Sequence, residues 1–555
     1  MTEPWTPQVG DRHTADAVKS FYDAGFWRHE VLTDFLEGWC ERQPDATFVS
    51  DGDGSLSYAE LRGQAYRLGA ALRRRGIRAG DRVVVQLPNW REYALAYVAL
   101  ARIGAVMVPV MPVYRHNEVA YIASFAAARA IVTPGVFRNF DHLAMIREIR
   151  PQCPSVELVI VARGEPGAGE VALAELSRPE AGAEIPDDLA LGVPPGPDDG
   201  HLAIFTSGTE ARPKGCWHTF NTLGTSLREL VRILAVGPGD TVFMPSPVTH
   251  ATGLAVGVGA PLLAGAAAHY LDVWDPAEAL RRIAEHRCNA TVTAAPFVQM
   301  ALDAYDPAVH DVSTLRAWGC GGAPVPPTMV DRMATVWPNC HLLSLYGRSE
   351  TFLSTMCEPD DPVERSSSSD GRPLAPVELA ILGDDGTELS SGEEGEIVQR
   401  GAAVMLGYFG DPERTAAAFD AAGWCHSGDR GRLDAGGYLR VTGRLKDIII
   451  RGGSNISARE VEDHLLAHPK VGQVAVVGMP DRILGERVCA FVVPAGEPPA
   501  LEELADFLRH DRRIAVWKLP ERLEVVDALP MTATGKVQKF ALRERLGTTG
   551  ANSDA

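Results

Sequence analysis

The chain has 555 residues, 46% of them hydrophobic and 23% charged. That is the makeup of a soluble globular protein too long for one core, so two or more domains are expected. A formal net charge of −19 argues against broad nucleic-acid binding, which draws on a basic surface, but leaves room for anionic small ligands on a local basic patch. The nine cysteines form no CxxC pair and no zinc-spaced His/Cys cluster, which reads as thiols in a reducing, cytoplasmic setting. The opening Met1-Thr-Glu-Pro-Trp lacks the basic and apolar regions of a signal peptide.

In chain order, Leu61, Ala65, Leu68 and Leu72 share one helical face, with a stop at Gly76. Val83–Val85 reads as a strand, followed by a helix through Tyr93, Tyr97, Leu100 and Ile103 and a strand over 106–110. Strands at 241–244 and 291–293 flank a helix near 276–286. Such alternation implies parallel sheets covered by helices. The Pro/Gly/Glu/Ala-rich stretch 164–200 reads as an irregular connection between subdomains. The uncharged stretch 251–268 reads as a buried small-residue helix and not a membrane span, because Gly and Ala dominate it and Pro261 interrupts it. Ser366–Ser369 suggests an exposed loop. Past Gly443 the character changes: a capping box at Ser457 and Glu460, strands at 474–477 and 487–493, and a helix at 501–509 make a small α+β domain. The tail from Gly547 is polar and reads as frayed.

The most informative stretch is 206–215, Thr-Ser-Gly-Thr-Glu-Ala-Arg-Pro-Lys-Gly, directly after the buried-strand run Leu202-Ala203-Ile204-Phe205. Glycines let backbone N–H groups approach a polyphosphate, hydroxyls donate, and Lys214 adds charge. The spacing is not Walker A, since Pro213 precedes Lys214 and Gly215 follows it. Four further segments add to this loop. Gly321-Gly322-Ala323-Pro324 lacks bulk, so a flat ligand fits against its backbone. Tyr346-Gly347-Arg348-Ser349-Glu350 brings an aromatic face, a hydroxyl and a carboxylate suited to Mg²⁺. Ser427-Gly428-Asp429 sets a carboxylate for a ribose diol, and 443–447 carries Arg444 and Lys446 at the domain change. Taken singly, each also reads as a turn, a solvated strand end or a charged linker.

Together and in this order, these segments resemble the adenylate-forming superfamily of acyl-CoA synthetases, peptide-synthetase adenylation domains and luciferases, over about residues 14–546. Glu210, the run 247–253 (Pro-Val-Thr-His-Ala-Thr-Gly) and 451–457 (Arg-Gly-Gly-Ser-Asn-Ile-Ser) look most like medium-chain fatty acid and cyclohexanecarboxylate CoA ligases. Tyr22 and Gly25-Phe26-Trp27 are similar to aryl-acid adenylating enzymes.

The resemblance implies an α/β fold. A large N-terminal adenylation domain (1–443) would carry parallel sheets layered with helices and a β-barrel-like subdomain, followed by a small mobile α+β domain (444–555). It implies an acid–thiol ligase acting with ATP and Mg²⁺ on a small carboxylic acid, then on coenzyme A or a carrier-protein phosphopantetheine, in a monomer or homodimer. Thr206, Ser207, Gly208, Thr209 and Lys214 would wrap phosphates, with Ser207 a contact and not a nucleophile. Gly321, Gly322, Ala323, Tyr346 and Gly347 would bracket adenine, Ser349 would meet the α-phosphate, and Glu350 would hold the metal. Asp429 and Arg444 would bind the ribose, Lys446 would be the hinge, and Lys536 would be the catalytic lysine. Gly452 and Gly453 would admit the pantetheine arm. His250, Trp318 and Gly319 would line the acid pocket, and the latter two favour a compact ring acid.

Ser349 in place of the commoner threonine, Phe220 and Ser454 depart from the pattern, and the last two bear on acid or acceptor choice. Two rival readings are a stand-alone enzyme loading a carrier protein or another nucleophile, and a catalytically silent nucleotide-binding relative.

Overall fold

The computed structural model describes residues 3–178, 184–206, 213–322, 325–451, 454–481, 483–512, 514–532 and 536–550. Two large sheets dominate. The first runs, in spatial order, Gly407–Tyr408, Lys214–Thr219, Gly200–Thr206, Val106–Pro109, Arg82–Val85, Ala130–Pro134, Leu158–Ala162 and Glu170–Ala172. It is parallel from Gly200–Thr206 onward and antiparallel across its first two strands. The second is parallel through His341–Tyr346, Ala317–Gly321, Ala290–Thr293, Thr241–Met244, Ala267–Tyr270 and Thr47–Asp51, with antiparallel strands at both edges.

Strand parity builds the layers. Val83 and Val85 face one core with Val242 and Met244, while Val84 and Phe243 face outward into separate cores. The shared core holds helices Tyr58–Arg74, Arg91–Arg102 and Phe220–Leu234 between the sheets. The N-terminal segment is clasped to it: the Trp27 indole N–H donates to Ala402 O at 2.9 Å, and Asn221 donates to the Tyr22 hydroxyl at 3.0 Å.

A four-stranded antiparallel sheet follows: Val377–Leu382, Gly395–Gly401, Cys425–Leu433 and Leu439–Arg444. A last five-stranded sheet, centred on the long pair Val471–Asp481 and Gly485–Pro494, carries helices Ala458–Leu465 and Lys539–Gly550. This is the mixed α/β architecture expected, with a large parallel-sheet domain and a smaller C-terminal one, while the expected β-barrel-like subdomain is an open four-stranded antiparallel sheet.

Several local expectations change. The stretch 164–200 contains Glu170–Ala172 and the short helices Leu173–Ser177 and Asp188–Leu191. Ser366 and Ser369 are buried: Ser366, in the short helix Arg365–Ser368, donates its hydroxyl to Leu342 O, and Ser369, at that helix's end, donates to Arg365 O. Only half of the expected capping box forms. Ser457 accepts the Glu460 N–H, but the Glu460 carboxylate is drawn to Lys518 Nζ at 2.6 and 2.7 Å. The uncharged stretch is a buried helix only as far as Ala264, with a π turn at Ala255–Gly259 whose Gly257 carbonyl accepts from the Tyr270 hydroxyl, and its end opens the strand Ala267–Tyr270. Among the described residues, no helix is long and apolar enough to cross a membrane.

Candidate active site

The parallel strands deliver their carboxyl ends to one cleft, where open α/β sheets place ligands. Thr206, Gly321 and Tyr346 end three such strands. Thr206 Oγ1 is buried without a partner among the described residues. Gly347 is demanded by packing, since a Cβ there would lie 2.0 Å from Phe352 O. Gly322 sits at φ +80, in the region that favours glycine.

The centre of the cleft is Glu350, only 4% exposed. Lys214 Nζ lies 2.9 Å from its Oε1, the Tyr408 hydroxyl donates to the same oxygen at 2.8 Å, and Arg348 Nη2 lies at 3.1 Å. Lys214 also donates to the Tyr408 hydroxyl at 2.7 Å. Sheet pairing makes this cluster: Gly407–Tyr408 pairs with the strand that starts at Lys214, and the Met405 N–H donates to Glu350 O. Burial alone would raise the Glu350 carboxyl. The charges of Arg348 and Lys214, with hydrogen bonds from Lys214 and Tyr408, overcome that and hold it well below the usual carboxylate range. His218 braces the segment from behind, its Nε2 2.7 Å from Ser349 O and its Nδ1 3.1 Å from Thr222 Oγ1. Burial lowers its imidazole to about 4, so it is neutral at neutral pH.

Asp429 forms a second cluster. It accepts from the Tyr346 hydroxyl at 2.7 Å and pairs with Arg444 Nε at 3.2 Å. Lys536, between the last strand Arg522–Val525 and the helix Lys539–Gly550, reaches Gly322, where a Cβ would lie 3.2 Å from its Cε. Lys536 keeps solvent contact, yet the protein crowded around it, and then Arg444, lower its ammonium pKa, against the pull of Asp429 and Glu350. Among the described residues, four cations here face two carboxylates, a local positive surplus inside a chain of net charge −19. His250 caps the short helix Ala251–Leu254, its Nδ1 accepting the Thr252 N–H at 3.3 Å. Burial, and then Lys536, lower it to about 4, so it stands neutral within electrostatic reach of that lysine.

The structure thus gathers Thr206, Lys214, His250, Gly321, Gly322, Tyr346, Gly347, Ser349, Glu350, Asp429, Arg444 and Lys536 about one cleft. Ser207, Gly208, Thr209, Ala323, Gly452 and Gly453 lie outside the described residues, as do the side chains of Lys446 and Ser454. The Lys446 backbone forms a single 3-10 turn, Leu445–Asp447.

The expectation for Trp318 fails, and so does the open room expected at Gly319. Trp318 points away from the cleft, fully buried, stacked on Trp337 at 5.7 Å and donating to Thr293 Oγ1 at 2.8 Å. Gly319 leaves no open room, since a Cβ there would meet Val292 Cγ2 at 2.9 Å. The preference for a compact ring acid therefore loses both of its supports. Trp318→Phe is expected to lower stability by about 1–3 kcal/mol through the lost hydrogen bond and stacking area, read by denaturant melts. Its ranking of acid substrates should match that of the wild type. Phe220 is likewise a core residue, stacked on His201 at 3.9 Å.

The sequence reading missed Tyr408. It lies in Gly407-Tyr408-Phe409-Gly410 with no spacing cue to Lys214 or Glu350, and only strand pairing joins them. Arg348 was in view, but its guanidinium was given no role beside its neighbours in the motif.

Fold and cleft together define a two-part α/β protein whose strand ends present a basic, anion-ready site. Residues 36–409 match the AMP-binding enzyme family, and 460–536 match the AMP-binding enzyme C-terminal domain. The chain belongs to that adenylate-forming family of ligases, which activates acyl and aryl acids. It is 36% identical to the medium-chain fatty-acid–CoA ligase of Escherichia coli (strain K12), over 95% of this chain and 92% of that one. It is 34% identical to a salicyl-AMP ligase / salicyl-S-ArCP synthetase of Mycobacterium tuberculosis (strain H37Rv), over 96% and 94%. The solved anthranilate CoA ligase AuaEII, 24% identical with a TM-score of 0.85 over 94% of this chain and 98% of that one, shares the fold.

Proposed function

We propose that this chain is a cytoplasmic acid–thiol ligase using ATP, Mg²⁺ and coenzyme A. A substrate carboxylate oxygen attacks the α-phosphorus of ATP and pyrophosphate leaves. The CoA sulfur then attacks the acyl carbon of the adenylate, loses its proton, and AMP departs. The observation that carries the reading is the convergence of Lys214, Arg348, Lys536 and Arg444 around Glu350 and Asp429. Charge that builds on phosphate oxygens during attack is offset by fixed cations, and the reactants are held in line. Retention of this whole set speaks against a silent relative.

A magnesium ion fits at Glu350. Its three donors among the described residues all fall on Oε1, and Mg²⁺ characteristically takes one or two carboxylate oxygens beside substrate phosphates. Bound there, it would neutralise phosphate charge. Tyr346 would tie Asp429 to the ribose. A small lobe from residue 444, turning at Lys446, would bring Lys536 in for the first step and Gly452 and Gly453 for the second.

CoA is favoured as acceptor by the 36% identity to a CoA ligase. The salicyl-S-ArCP synthetase supports the second reading, loading of a carrier protein. A carboxylic-acid panel scored by pyrophosphate release, with CoA or a phosphopantetheinylated carrier supplied, tests both. Acid-dependent release with AMP and acyl-CoA formation is expected. Thioester on the carrier alone would replace the acceptor, and no acid-dependent pyrophosphate release across the panel would sink the ligase reading.

A further inference from the structure

Arg348 stands between the two carboxylate clusters and is more than the holder of Glu350 that one ion pair suggests. Its side chain is 11% exposed, and its Nη2 lies 3.1 Å from Glu350 Oε1. Glu350 does not need this third donor for orientation, because Lys214 and Tyr408 already hold the same oxygen at 2.9 and 2.8 Å. The guanidinium's other arm, Nη1, is buried with no partner among the described residues. A buried donor left unpaired is costly, and most such groups in folded proteins are paired or serve a ligand. The charge is felt by Glu350, Tyr346, the buried Cys425 thiol and Asp429, and by Lys536, so the guanidinium lies between the buried core and the groups of the cleft.

We propose that Arg348 binds the nucleotide's phosphates directly: Nη2 anchors the side chain on Glu350 while Nη1 donates to a phosphate oxygen of ATP. This rests on the nucleotide reading given above. A guanidinium suits the task because its planar fork presents two donors in fixed directions, one for the anchor and one for the ligand. A lysine has one short-reach ammonium and would keep the anchor at the expense of the ligand contact. The contact needs no metal, since it runs from nitrogen to phosphate oxygen.

The test is calorimetric binding of ATP and of adenosine, both in EDTA, to the wild type, Arg348→Lys and Arg348→Met. Adenosine reports the base and ribose contacts without phosphate. The expected result is ATP binding weakened about tenfold or more in both variants, with adenosine affinity unchanged. Arg348→Lys retains a cation beside Glu350, so it serves where Arg348→Met fails to fold. Unchanged ATP affinity in the folded variants would overturn the proposal, as would an equal loss for ATP and adenosine, the mark of a merely structural role. If the wild type itself fails to bind ATP, the nucleotide reading falls first and this one with it.

Discussion

Lys536→Ala is expected to abolish adenylate formation while leaving thioester formation from supplied acyl-adenylate near the wild-type rate. Lys536 is fixed to Thr532 on the small lobe: the Thr532 N–H donates to Lys536 O at 2.7 Å and the Lys536 N–H to Thr532 Oγ1 at 3.0 Å. Its side chain lies over Gly322, within electrostatic reach of Glu350 and Asp429. In the proposed reaction an ammonium there would bridge carboxylate and phosphate oxygens as charge grows between them. Removing one preorganised donor of this kind costs about 10²–10³-fold in rate. In the proposed second step a thiol meets an adenylate already made, and this lysine would have no part in it. Acid-dependent exchange of pyrophosphate into ATP reads the first step, and AMP release from supplied acyl-adenylate reads the second. Full exchange in the variant would refute the assignment, and so would equal loss of both steps.

Much of the scaffold was legible because burial writes itself into period. Strands at 83–85 and 241–244 are short apolar runs, and the helix through Leu61 and Leu72 shows its face. The site was legible only through its motifs. Lys214, Glu350, Asp429, Arg444 and Lys536 are spread over more than three hundred residues, and no local pattern says that they meet. Tyr408 shows the limit. It reaches Glu350 through an edge strand whose pairing partner lies almost two hundred residues earlier. Trp318 shows an avoidable error. Side chains alternate along a strand, so if Gly321 faces the cleft, Gly319 shares that face and Trp318 cannot. The half-formed capping box at Ser457 has another cause: Lys518, distant in sequence, outcompetes the local backbone for Glu460.

The same alternation of burial and charge makes Glu350 the residue whose loss is felt twice. Glu350→Gln keeps shape and loses the anion. In catalysis it removes the carboxylate proposed to hold the metal, and a loss of about 10²-fold or more in adenylation is expected, with the magnesium concentration for half-maximal rate moved upward. In stability it leaves Lys214 and Arg348 with an uncompensated buried charge, a change worth about 3 kcal/mol or more.

The pH dependence fixes the sign. Glu350 in the fold is held below the ordinary carboxylate value of 4.5, so below that pH the unfolded chain binds more protons than the folded one. The stability it confers is complete above that range and is lost as pH falls through the depressed value. Denaturant melts of wild type and Glu350→Gln should therefore differ most at neutral pH and draw together on acidification. A gap that stays constant with pH would show that the carboxylate is not the charged centre of this site. A normal magnesium dependence in the variant would remove Glu350 from the metal.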